Sequence, residues 1–131
     1  MIGLNVELDL MERGAYLADV YTDCRYEITV NIVSALVLDA DLITYARFHS
    51  NFVGGGNNFT RFRNADMDKA LETGRTSQDE GERKAAYLQV AEIVKAEAPI
   101  VPIYSGMNGT AFNKDLKGVV ANSVQRYYCL L

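Results

Sequence analysis

The sequence predicts an α/β (α+β) fold, a mixed sheet with a βαβ unit and helices packed against it. Three observations carry that expectation. In residues 3–11, Leu4, Val6, Leu8 and Leu10 alternate with Asn5, Glu7 and Asp9, the period of a strand with one buried face. In residues 12–21, Ala15, Leu17, Ala18 and Tyr21 fall at helical spacing, although Gly14 weakens the helix. Residues 26–34 then hold Ile28, Val30, Ile32 and Val33, a β-branched run apolar on both faces that suits an interior strand. Strand, helix and strand in succession imply two parallel strands and a right-handed crossover.

The remaining elements follow in order. Residues 39–50 predict a short helix, with Asp39 or Asp41 as its N-cap. A loop over 51–63 contains Gly54, Gly55 and Gly56, followed by Asn57 and Asn58. Asn64 can cap a helix over 65–74, and Gly74 is a natural C-cap. Ser77 and Glu80 form a capping box that opens the longest helix, 79–98. Its apolar stripe is Tyr87, Ala91, Val94 and Ala98, joined by Val90 and Ile93, and Pro99 ends it. Residues 100–104 and 108–112 read as strands, and 124–130 as a weak one.

The 131 residues suit one domain with a core of its own. A net charge of −4 and the lack of a basic stripe argue against binding to a phosphate backbone. The apolar run 28–38 is interrupted by Thr29, Asn31 and Ser34 and is too short to span a bilayer. Residues 1–7 lack the basic start and apolar core of a signal peptide, so an exported parent would carry its signal upstream. Cys24 and Cys129 form neither a CxxC pair nor a metal set with the single histidine, His49. They read as two free thiols, and a disulfide between them needs a geometry that sequence cannot test.

The chemistry-bearing residues are sparse. Asp39 and Asp41 are too few oxygen ligands for a hard cation and read as helix caps. The glycine run matches neither phosphate-loop spacing. His49 has Ser50 beside it, but neighbouring residues do not face each other on a helix. Arg61 and Arg63 flank Phe62 and could grip an anion, although solvated charge around a buried aromatic is the simpler reading. Of eight tyrosines, Tyr26, Tyr45, Tyr87 and Tyr104 fit core or interface positions, while Tyr127 and Tyr128 are harder to place. The residues alone point to no catalysis, no cofactor and no metal.

The order of segments carries more. Gly3-Leu4-Asn5-Val6-Glu7-Leu8 resembles a "GI-x-V-x-L" strand, and Tyr26-Glu27-Ile28-Thr29-Val30 a "YD-apolar" strand. Asp39-Ala40-Asp41-Leu42-Ile43 matches a "DPD-x-aromatic" helix start, with Ala40 in place of the proline. Phe62, Asn64, Asp68, Ala70 and Leu71 fit "Y-x-N-x-x-x-D-x-L/A-L". Arg83, Tyr87, Ala91, Ile93, Val94, Pro99, Val101, Pro102, Ile103 and Tyr104 stand at the places of a closing "R-x-x-x-Y … P-x-[VI]-P-[IL]-Y" signature. Lys117-Gly118-Val119 looks like an "l-x-G-[VI]" element. In this order the motifs resemble the family-5 extracellular solute-binding proteins, the peptide, oligopeptide and nickel-type binding components of ABC importers.

That resemblance implies a two-lobed, periplasmic-binding-protein-like parent that closes around a small solute or peptide and delivers it to the membrane subunits of an ABC permease. Residues 1–131 would be a single truncated domain, the core of the C-terminal ligand-binding lobe, without the N-terminal lobe of the same parent. The implied location is periplasmic or extracellular, with the parent's N-terminus as the place for a lipid anchor. Such a protein does no chemistry; its ligand works by favouring the closed state. The expected ligand contacts are Asn31, Val33, Ser34 and Leu36, at the end of the second strand. Peptide-binding members carry a tryptophan and an α-amine-binding aspartate there; the corresponding places fall near Val33 and Leu36, and the chain has no tryptophan. The ligand class is therefore open among an apolar peptide, an oligosaccharide, a metal chelate or another small molecule. The competing readings are a small hydrolase or enzyme fragment using Asp39, Asp41 and His49, and an autonomous interaction domain. The isolated chain is expected to bind weakly or not at all, and to expose apolar surface or form a homo-oligomer.

Overall fold

The structure, a computed structural model, describes residues 3, 5–32, 39–54, 56–105, 111, 113–117, 119–121 and 127–129. Its elements in order are α1 (Arg13–Leu17) continuing into a π-helical turn (Ala18–Asp23), α2 (Ala40–Phe48) with a 3-10 turn (Ser50–Phe52), α3 (Ala65–Thr76), α4 (Glu80–Glu97), β1 (Val119–Ala121) and β2 (Tyr127–Cys129).

Each of the three longer helices starts on a side-chain cap, because the first N–H groups of a helix have no partner within it. Asp39 accepts from the Asp41 N–H at 2.9 Å to open α2. Asn64 accepts from Asp66 and Met67 at 2.9 and 3.0 Å to open α3. The α4 cap is Asp79, which accepts from the Glu82 N–H at 2.7 Å. Ser77 therefore does not form the predicted capping box with Glu80. Its hydroxyl accepts from the Asp79 N–H at 3.1 Å and bonds the Glu82 carboxylate at 2.7 Å, which steadies the cap from outside. At its other end α4 stops on Ala98, left-handed at φ 47° and ψ 47°, directly before Pro99.

Two helices and a three-residue link make the heart of the molecule. α3 and α4 pack on each other as a helical hairpin across residues 77–79, and α2 packs on α3. The core is Phe48 from α2, Met67, Ala70 and Leu71 from α3, and Val90 from α4. Tyr45, Phe62, Tyr87, Ile93, Val94 and Ile100 lie partly buried around it. Gly74 does not cap α3, which runs on to Thr76. Its role is close approach, since a Cβ there would stand 2.8 Å from Cζ of Tyr87. Asn58 is buried with its amide fully used. It donates to the carbonyls of His49 and Phe62 at 3.2 and 2.9 Å and accepts from the Thr60 hydroxyl and the Phe62 N–H. The loop between α2 and α3 is thus tied to both.

The predicted mixed sheet with a βαβ unit is not what the chain forms. Among the described residues the only strands are β1 and β2, paired antiparallel with Val120 opposite Tyr128. Residues 5–11, 26–32 and 100–104 belong to no ladder. Alternation says which face of a segment wants burial, but a strand exists only by hydrogen bonding to a neighbour. Here side chains from the preceding helix take that place. The Tyr16 hydroxyl donates to the Val30 carbonyl at 3.0 Å and pairs with the Thr29 hydroxyl at 3.1 Å. The apolar side chains of these segments stay in solvent: Leu8 is 77% exposed, Leu10 84% and Ile32 82%. Tyr104, expected in a core or interface, is 80% exposed. The predicted strand 108–112 and half of 124–130 lie outside the described residues.

Candidate functional site

The predicted ligand-contact residues divide sharply. Val33, Ser34 and Leu36 lie outside the described residues. Asn31 is described and half-buried, and it lines a pocket of about 440 Å³ with Arg13, Tyr16, Leu17, Tyr21, Val30 and Ile32. The local sequence explains the pocket. Helix α1 and its π-helical turn present Arg13, Tyr16, Leu17 and Tyr21 on one side. Tyr16 holds residues 29 and 30 against them, which closes the opposite wall. The Asn31 amide donates to the Tyr21 hydroxyl, and its oxygen accepts from the Ile32 N–H at 2.8 Å. An apolar wall carrying a cation, two phenols and an amide is the composition of a site that holds a ligand and orients it.

Behind Tyr21 stands an aromatic layer. The Tyr21 and Phe59 rings are 5.0 Å apart, and the Arg47 guanidinium carbon lies 5.4 Å from the Phe59 centroid. Nε and Nη1 of Arg47 are buried and have no hydrogen-bond partner among the described residues. Burial lowers the Arg47 pKa, against a smaller opposing effect of Tyr21. Sequence reading missed Arg13, Tyr21 and Arg47 because each is an ordinary helix residue whose role arises only when residues 29–32 fold back over the π-helical turn.

A larger groove of about 600 Å³ runs between α2 and α4, lined by Thr44, Phe48, Tyr87, Val90, Val94, Ile100 and their neighbours. Its walls are almost wholly apolar, and Lys95 is its only charged member. It offers little with which to orient a ligand.

Asp39, Asp41 and His49 do not converge. Asp41 receives both Nε and Nη2 of Arg75 at 2.9 and 2.8 Å, and Arg83 lies 3.7 Å from Asp39. Arg75 also stacks over the Tyr45 ring at 3.5 Å, so the start of α2 is pinned to α3 and α4 by arginine forks. The bidentate bond to Asp41 is the main cause of a raised Arg75 pKa. His49 sits at the far end of α2, roughly 12 Å from Asp41 at 1.5 Å per residue. It is buried, 3.3 Å from a Glu72 carboxylate oxygen, and its Nδ1 accepts from the Asn51 N–H at 3.2 Å. That acceptor role puts the ring proton on Nε2, facing Glu72.

Other candidates are also structural. Arg61 donates to the carbonyls of Asp23 and Cys24 at 2.9 and 3.1 Å and so closes the π-helical turn instead of gripping an anion. Gly56 packs against Phe52, where a Cβ would meet atoms at 2.8 Å. Cys24 is a free thiol. No cluster of three or more metal-binding side chains occurs among the described residues, and no described helix is long and apolar enough to cross a membrane.

No family model and no solved structure matches the chain. Two curated proteins match part of it. Protein XP55 of Streptomyces lividans is 38% identical over 60 residues, which are 45% of this chain and 11% of that protein. The peptide transport periplasmic protein SapA of Salmonella typhimurium is 31% identical over 68 residues, 52% of this chain and 12% of that protein. The matched stretches cover about a tenth of either relative's length. The chain thus shares a local sequence likeness with a peptide transport protein of the periplasm.

Proposed function

We propose that this chain is part of the solute-binding component of an ABC importer of the family-5 type, working outside the cytoplasmic membrane. The observation that carries this reading is the local likeness to the peptide transport periplasmic protein SapA. The pocket at Asn31 supports it, because one of its walls is the segment where the motif order places ligand contacts. In this reading the chain binds a small solute or peptide, acts with the other lobe of its parent, and hands the ligand to membrane-spanning permease subunits. Binding by the chain alone is weak, because one lobe supplies only part of the contact area that sets affinity.

A ¹⁵N-labelled sample titrated with trialanine, maltotriose and a nickel–histidine chelate tests three ligand classes at once. Amide shifts at Arg13, Tyr21 and Asn31 from one of the three, with a Kd weaker than micromolar, are expected. No shift at those amides from any of them up to about 10 mM, a binding energy under about 3 kcal/mol, would sink the proposal.

The enzyme reading draws no support from the geometry, since Asp39 and Asp41 are engaged by arginines and His49 lies at the other end of α2. The variants Asp39→Asn, Asp41→Asn and His49→Gln separate the two readings. Ligand shifts retained in all three favour binding without chemistry.

A further inference from the structure

Resting on that reading, we propose that the Asn31 pocket takes the carboxylate end of a peptide with an apolar last residue, so that the ligand is recognised by its C-terminus. Arg13 is the only charged residue lining the pocket, and no carboxylate lines it. A site for a protonated amine needs an anion or converging acceptors, whereas a lone guanidinium presents the fork that matches a carboxylate. Arg13 forms no ion pair among the described residues, so its fork is not already spent. Arg47 adds a second uncompensated positive charge one aromatic layer behind Tyr21. Both charges bias the pocket toward an anion.

The other walls fit the rest of such a ligand. The Asn31 amide has two N–H donors, and one is given to Tyr21. The second is available to the carbonyl that precedes the ligand's last residue. Leu17, Val30 and Ile32 supply the apolar surface for its side chain. In Leu17 and Ile32 that surface is solvent-exposed, so covering it favours binding.

N-acetyl-leucine carries this carboxylate, amide and side chain, and N-acetyl-leucinamide differs from it only in lacking the charge. Each is titrated into the ¹⁵N-labelled chain and into Arg13→Gln, whose folding is checked by the dispersion of its amide spectrum. The acid should shift the amides of Arg13, Tyr21 and Asn31 with a Kd at least about tenfold below that of the amide, the size of one charge-assisted contact. Arg13→Gln should abolish that difference. Equal affinities for acid and amide at the same residues would overturn the inference and leave solute binding standing. A preference for the acid that survives in Arg13→Gln would overturn it too. No shift from either compound also overturns it, and solute binding falls with it only if trialanine, maltotriose and the chelate fail as well.

Discussion

Tyr87 and Gly74 show how one side chain fixes another. The Tyr87 ring lies so close to α3 that position 74 has no room for a methyl group. In an exposed helix, Gly→Ala stabilises by up to about 1 kcal/mol, but overpacking costs about 1–3 kcal/mol. Gly74→Ala is therefore expected to lower stability by about 1 kcal/mol in urea unfolding, and the loss should vanish beside Tyr87→Leu. A stabilised Gly74→Ala single variant would show that the contact yields freely. The same ring carries a buried hydroxyl with no hydrogen-bond partner among the described residues. Burial is the main cause that raises the Tyr87 pKa, with Asp41 adding to it, and burial raises that of Tyr26 as well. The sign follows from linkage. A phenol whose folded pKa is raised contributes stability that is complete below the unfolded value near 10 and is lost as pH rises through the folded value. The urea midpoint should thus hold steady up to about pH 9 and fall above about pH 10. Tyr87→Phe should flatten that fall and, by removing an unsatisfied group, cost no stability at neutral pH. An alkaline limb as steep in Tyr87→Phe as in the parent would assign it to other groups.

At the scale of elements, the helices were legible in the sequence and the strands were not. Asp39, Asn64 and Asp79 cap α2, α3 and α4 through local bonds that span two or three residues, and local chemistry is what a sequence displays. The misplaced details were also local. Ser77 and Asp79 compete for the same N–H groups, and the carboxylate two residues closer prevailed. Strands differ because their partners are distant in sequence. Leu8, Leu10 and Ile32 keep a strand-like period but have no ladder to join, so the pattern is present without the element. The end of α4 gives a test at this scale. Ala98 sits in the left-handed region at φ 47°, where a Cβ costs about 1–2 kcal/mol. Glycine is at ease there but frees the unfolded chain. Ala98→Gly should raise stability by about 0.5–1 kcal/mol, read as a higher thermal midpoint. A lower midpoint would mean that the left-handed turn before Pro99 is not kept in solution.

The whole molecule joins a helical core built from α2, α3 and α4 to extended segments that it does not cover. The pocket was legible only at Asn31, through the motif order; Arg13, Tyr21 and Arg47 enter it through a fold-back that no spacing announces. The uncovered surface was foreseen in kind, because a chain with so many apolar residues and so few helices to hide them must leave some in water. Val6, Leu8, Leu10, Ile28, Val30 and Ile32 before the core, and Val101, Ile103 and Tyr104 after it, are all largely exposed. Side chains like these cost about 25 cal/mol for each Å² of apolar surface left in water, and a contact that covers several of them at once recovers part of that. At net charge −4 over 131 residues, repulsion between copies opposes such contact only weakly, and salt screens it. The isolated chain should therefore self-associate, with a mass in sedimentation velocity that rises over a roughly hundredfold increase in concentration. Leu8→Lys with Leu10→Lys should shift the equilibrium toward monomer without lowering the urea midpoint, because neither residue touches the helical core. A chain that stays monomeric across that range would mean that the extended segments fold onto their own molecule in solution.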